Sequence, residues 1–86
     1  MRNQQSIKFN TALEIREWLT TYMVEELNLN KHEIDSKAHF SDFGLDSSTA
    51  VILTGDLSEW LGYDLEPTLL LDYPTLETLV KYLSNQ

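Results

Sequence analysis

Apolar residues in this chain recur at three- and four-residue intervals and almost never alternate with polar ones, a pattern that confines the fold to packed helices. Ala12, Ile15, Leu19, Tyr22, Met23 and Leu27 form one stripe, and Leu76, Leu79, Val80 and Leu83 form another. Between them, at about 100° per residue, Ala50, Leu53, Leu57 and Leu61 cluster on one helix face with Trp60 beside them. Ser48, Ile52, Gly55 and Glu59 fall opposite that face. Local signals set the boundaries. Thr11-x-x-Glu14 is a capping box that starts the first helix, which runs to about Leu27. Asp46 or a following Ser caps the second helix, and Gly62 suits its C-terminal end. Pro67 opens a brief third helix, about Glu66 to Leu71, and Asp72-Tyr73-Pro74-Thr75 breaks the chain before the last helix, which frays over Ser84-Asn85-Gln86. The expected fold is all-α: a small four-helix bundle of three longer helices and one short one.

The long connection over residues 28–41 has no sustained period, so it needs apolar pins, for which Leu29, Ile34 and Phe40 are available. Residues 1–10 read as a flexible leader, 11–84 as the folded domain and 85–86 as a frayed end. Eighty-six residues have room for one core only. The hydrophobic share of 42% is too high for an acidic disordered tail.

Charge and cysteine content exclude several function classes. Six Lys and Arg against fourteen Asp and Glu give −8, which argues against nucleic acid or an anionic membrane as partner. Residues 41–86 hold Lys81 alone against eight acids, so the C-terminal half is the expected docking side for basic partners. No run is apolar enough to span a membrane and no signal-peptide pattern is present, so the cytoplasm is the expected compartment. With no cysteine there is neither a disulfide, nor a thiolate metal site, nor a thiol nucleophile; thioester chemistry would need a borrowed sulfur. His32 and His39 are seven residues apart and read as solvated rather than metal-binding. Neither Asp42 nor Asp56 begins an EF-hand loop.

Gly44-Leu45-Asp46-Ser47 is the most specific segment. A serine at a loop-to-helix junction offers its hydroxyl to solvent, and the helix N-terminus offers amides and partial positive charge that favour a phosphate ester. An ordinary N-cap explains the tetrapeptide taken alone. In context, FSDFGLDSSTAVILTGDLSEWLG followed by LEPTLLLDYPTLETLVKYL resembles an acyl carrier protein of the polyketide-synthase type, over roughly residues 11–84. The resemblance rests on Gly-Leu-Asp-Ser at 44–47 and on the pattern from Pro67 to Thr75. It implies a 4′-phosphopantetheine arm on Ser47, installed from coenzyme A by a phosphopantetheinyl transferase, and acyl groups carried on that arm as thioesters. It implies a non-catalytic monomer served by an acyl-AMP ligase or acyltransferase and by ketosynthase or tailoring enzymes, either as a discrete protein or as an excised domain. Ser48 is the rival hydroxyl, at a position where the family usually has Leu.

Carriers of this type present a hydrophobic residue after the modified serine and an acidic one further along the helix; here those places are Ser48 and Ile52. Electrostatic docking on the second helix is therefore expected to be weakened, leaving Asp56 and Glu59, with Ile52 as an apolar contact beside Gly55, while Asp46 either caps the helix alone or also faces the basic surface of the transferase. Residues 53–62 are similar to carriers loaded with fatty acids by acyl-AMP ligases. Trp18 and Trp60 could line a cargo cavity or simply fill the core. Two alternatives remain open: a peptidyl carrier of nonribosomal synthesis, whose motif usually reads Gly-Gly-His-Ser, and an unmodified acidic adaptor in which Ser47 only caps a helix.

Overall fold

The computed structural model describes residues 11–85, so the expected leader at 1–10 and the last residue, Gln86, lie outside the described residues. Four α-helices follow one another: α1 Ala12–Leu27, α2 Ser47–Leu61, α3 Leu69–Asp72 and α4 Leu76–Ser84. Two short 3₁₀ turns, Lys31–Glu33 and Phe40–Phe43, punctuate the connection between α1 and α2. The described residues contain no strand beyond an isolated antiparallel bridge between His39 and Thr75.

The caps form where the sequence places them. Thr11 Oγ1 accepts the Glu14 amide at 3.1 Å while Glu14 Oε1 accepts the Thr11 amide at 3.0 Å, which satisfies two first-turn donors. The Asn28 cap in the left-handed region (φ 57°) ends α1, and Gly62 at φ 88° ends α2 with its amide on the Ser58 carbonyl. Thr75 starts α4 with a capping box in which Thr78 replaces the usual Glu.

Three faces meet in the core. Ile15, Leu19 and Met23 of α1 pack with Leu53, Leu57 and Leu61 of α2 and with Leu76, Leu79 and Leu83 of α4. Leu69 and Leu70 of α3 close one end, and Phe40 and Leu45 enter from the connection. Burying each such side chain is worth about 1.5–3 kcal/mol before conformational entropy is counted. Thr54 is also buried among them; its hydroxyl donates to the Ala50 carbonyl at 2.7 Å, so no polar atom of that side chain is stranded.

The connection is held by its apolar pins and also by backbone. Leu29 and Ile34 pack on the core and Phe40 is buried within it. The Phe40 amide donates to the Pro74 carbonyl at 2.8 Å and the Glu77 amide to the Ser36 carbonyl at 2.9 Å. These bonds tie the approach to α2 onto the α3–α4 turn, so the start of α2 is fixed from both sides.

Three expectations need correction. The third helix begins at Leu69 rather than Glu66: Pro67 lies in a preceding turn, in which the Leu69 amide bonds the Glu66 carbonyl and the Leu71 amide the Thr68 carbonyl. Trp60 is not a core residue; it is 39% exposed and stacks on Trp18 at the rim between α1 and α2. Ala12, first in its stripe, is exposed and borders an open groove with Leu76 and Val80 of α4. At the end of α4, Asn85 Nδ2 donates to the Lys81 carbonyl at 2.8 Å, one of the acceptors that a helix end leaves open.

Candidate functional site

The site is built at the first turn of α2. Gly44 adopts φ 84°, in the left-handed region where a side chain is strained, and its amide closes the 3₁₀ turn on the Ser41 carbonyl at 3.1 Å. Leu45 then plunges into the core, which anchors the two residues that follow. Asp46 is the N-cap: its Oδ1 accepts the Thr49 amide at 2.9 Å. Hydrogen bonding to Thr49, first through its backbone amide, holds the Asp46 carboxyl below its ordinary range.

Ser47 is the first residue of α2, outside the cap. It is exposed, and among the described residues its hydroxyl has no hydrogen-bond partner. The amides of the helix start are not all open, as the sequence suggested: Asp46 takes that of Thr49. A phosphate ester on Ser47 thus keeps the helix-end field but not that donor.

An open cavity of ≈ 480 Å³ borders Ser47 and Asp46, with Phe40, Leu45, Ala50 and Leu70 among its apolar walls and Leu71 and Pro74 on its α3 side. Leu71 is 78% exposed, the most solvent-open large apolar side chain described. Ser48 does not line this cavity. It lies about 100° further round the helix, on the face it shares with Ile52, Gly55 and Glu59, all of them exposed.

The face opposite the core is therefore assembled as the periodicity implied, with two differences. Val51, 51% exposed, joins Ile52 at 59%, so the apolar patch is a pair. Asp56 is turned to the flank, where its carboxylate faces the Tyr22 hydroxyl of α1; burial first, and then this negative charge, hold the Tyr22 proton above its usual range. Glu59 is left as the acid on the open face itself. The sequence reading missed Leu71 and Val51. Three consecutive leucines at 69–71 cannot all point inward from one helix, and Val51 falls between Ser47 and Ile52 on a helical projection, so both signals were present.

Trp18 and Trp60 stack on each other at 5.5 Å and 18° across the α1–α2 seam, above a surface groove. His32 and His39 are both exposed. Among the described residues no three His, Cys, Asp or Glu side chains are grouped so as to hold a metal ion, and no helix is long and apolar enough to cross a membrane.

A family model described as the phosphopantetheine attachment site matches residues 17–83. The chain belongs to that family. This carrier is 44% identical over 52 residues to the acyl carrier protein TtuC of Teredinibacter turnerae, a match covering 60% of each chain. It is 35% identical over 71 residues to a chain of the phenolphthiocerol/phthiocerol polyketide synthase of Mycobacterium tuberculosis, covering 83% of this chain and 4% of that much longer one. The carrier thus spans a small fraction of the synthase relative and three-fifths of the acyl carrier relative. Its fold superposes on an acyl carrier protein from Anabaena with a TM-score of 0.82 at 33% identity, covering 99% of this chain and 97% of that one. A free-standing peptidyl carrier protein from Acinetobacter baumannii gives 0.79 at 35%, covering 87% and 94%.

Members of this family are non-catalytic and hold 4′-phosphopantetheine covalently. The carrier's own residues fit that group: an unpartnered serine hydroxyl stands at a helix start, beside an apolar recess long enough to receive part of a flexible chain.

Proposed function

We propose that Ser47 bears the 4′-phosphopantetheine arm and that the carrier tethers acyl intermediates of a polyketide or related secondary-metabolite pathway as thioesters. The arm supplies the thiol that a cysteine-free chain lacks. The residues of the chain do the rest: Asp46 and Leu45 fix the attachment point, and the apolar walls beside Ser47 give the proximal arm and cargo a surface to lie against. Tethering raises the effective concentration of cargo at each partner enzyme without any general base on the carrier.

One observation carries the choice of Ser47 over Ser48: both hydroxyls are exposed, but Ser47 alone borders the apolar recess. Intact mass after incubation with coenzyme A and a phosphopantetheinyl transferase, followed by peptide mapping, tests it. Ser48→Ala is expected to accept one arm and Ser47→Ala none. Modification of Ser47→Ala to completion overturns the assignment.

The docking reading places Ser48, Ile52, Gly55, Asp56 and Glu59 against partner enzymes, with Asp46 facing the transferase. In favour of it, a β-carbon at Gly55 would meet no heavy atom within 4 Å, so the bundle itself does not require glycine there. An acyl-AMP ligase is the loading enzyme we favour, on the resemblance of residues 53–62, and such coenzyme A-dependent work belongs to the cytoplasm. The peptidyl alternative is favoured by one observation, the likeness to a free-standing peptidyl carrier. Loading the modified protein with fatty acids by acyl-AMP ligases, in parallel with amino acids by adenylation enzymes, separates the two readings.

A further inference from the structure

Both tryptophans of the chain meet at the rim of the bundle instead of its centre. Trp18 stacks on Tyr22 at 5.3 Å and 26° and on Trp60 at 5.5 Å and 18°, forming a near-parallel, offset row along the seam between α1 and α2. The row stands over a surface groove of ≈ 380 Å³. The rest of the groove wall includes Glu14, Glu17 and Glu25, and among the described residues no Lys, Arg or His lines it. The cations of α1 and the following turn, Arg16 and Lys31, line a different groove.

An aromatic row has negative faces, and three carboxylates around it deepen the same sign. Water hydrates carboxylates well but the indole faces poorly. The side chain that suits both is a guanidinium: planar, weakly hydrated, able to stack on a ring while its N–H donors reach carboxylates. Lysine satisfies the charge but not the stacking.

We infer that the Trp18–Tyr22–Trp60 groove is a docking surface for an arginine-bearing basic segment of a partner protein. Trp60 lies thirteen residues after Ser47 on the same helix, which is about 20 Å along its axis. A segment seated there leaves the Ser47 end of the bundle open, so a partner can hold the carrier while the arm reaches elsewhere. The inference extends the partner side of the proposed function, but recognition at this groove does not need Ser47 to be modified. Its test on the unmodified full chain therefore fails or succeeds separately from the arm assignment.

The two tryptophans give two indole N–H signals in a ¹H–¹⁵N correlation spectrum, one for each ring in the row. A short peptide of alternating Arg and Ser is titrated in, beside its Lys counterpart of equal charge. Both indole signals are expected to move, with the Arg peptide bound about tenfold more tightly than the Lys one, the size of a partly desolvated cation–π contact. Trp60→Leu is expected to abolish most of that preference, with the remaining Trp18 signal and the thermal melt reporting the fold. Glu17→Lys, an exposed change on α1, is expected to weaken both peptides. Equal affinity for the two peptides, undiminished preference in Trp60→Leu, or shifts confined to the Ser47 end overturn the inference.

Discussion

Replacing Gly55 by Ala separates what the bundle requires from what a partner requires. Gly55 sits in the middle of α2, its φ is not positive, and a β-carbon there meets nothing within 4 Å. The substitution therefore removes a glycine from a helix interior without a steric charge against it. The propensity difference is about 0.8–1.0 kcal/mol in favour of Ala, most of it from the unfolded chain's lost freedom. For a domain of this size about 1 kcal/mol raises Tm by about 4–8 °C. Gly44 and Gly62 supply the internal control. Their surroundings are equally open, but φ of 84° and 88° makes Ala strained there by about 1–2 kcal/mol, so the same substitution should lower Tm. Far-UV circular dichroism melts of the three variants and the parent, in one buffer, read all of this directly. A Gly55→Ala chain melting at or below the parent refutes the reasoning about α2. If the variant is more stable and acyl transfer to partner enzymes is unimpaired, Gly55 has no role in close approach; the expected outcome is a more stable carrier that transfers more slowly.

Asp46→Ala should destabilise the fold by removing the N-cap of α2, while Ser47→Ala should be close to neutral in a denaturant melt because its hydroxyl caps nothing. The Asp46 carboxyl is depressed by its amide bonds, so its stabilisation is fully present above the ordinary Asp range and disappears as pH falls through the lowered folded value; an acid titration of Asp46→Asn should lack that component. Ile52→Glu and Glu59→Lys should impair exchange with partner enzymes while leaving phosphopantetheinylation and Tm unchanged, as judged by mass spectrometry and thermal melts. With a net charge of −8 on 86 residues, moderate NaCl should raise Tm by screening self-repulsion; a steady fall with salt would contradict this.

The legible part of this chain was its repeating part. Leu53, Leu57 and Leu61 announce a buried face because identical apolar residues at helical spacing have no other use in water, and Thr11-x-x-Glu14 fixes a start because its two hydrogen bonds are local. What stayed hidden depended on which neighbour a residue meets. Trp60 lies on the edge of its helix's apolar stripe, and only the placement of α1 decides that it meets Trp18 at the rim instead of entering the core. That Asp56 also faces the Tyr22 hydroxyl of α1 depends on the same helix placement. Thr54 looks polar by composition, but the Ala50 carbonyl four residues earlier satisfies its hydroxyl and lets it be buried. The attachment point divides the same way. Gly44-Leu45-Asp46-Ser47 pointed to Ser47 through the family resemblance, and the geometry adds support for that proposal over Ser48. Leu45 turns inward, Asp46 takes the cap, and one step of helix rotation sends Ser48 away from the recess that Leu70, Leu71 and Pro74 build from the far end of the chain. The backbone bonds from Phe40 to Pro74 and from Glu77 to Ser36 hold those two ends in register. The case for the proposed Ser47 attachment thus rests on the α3–α4 turn as much as on the motif.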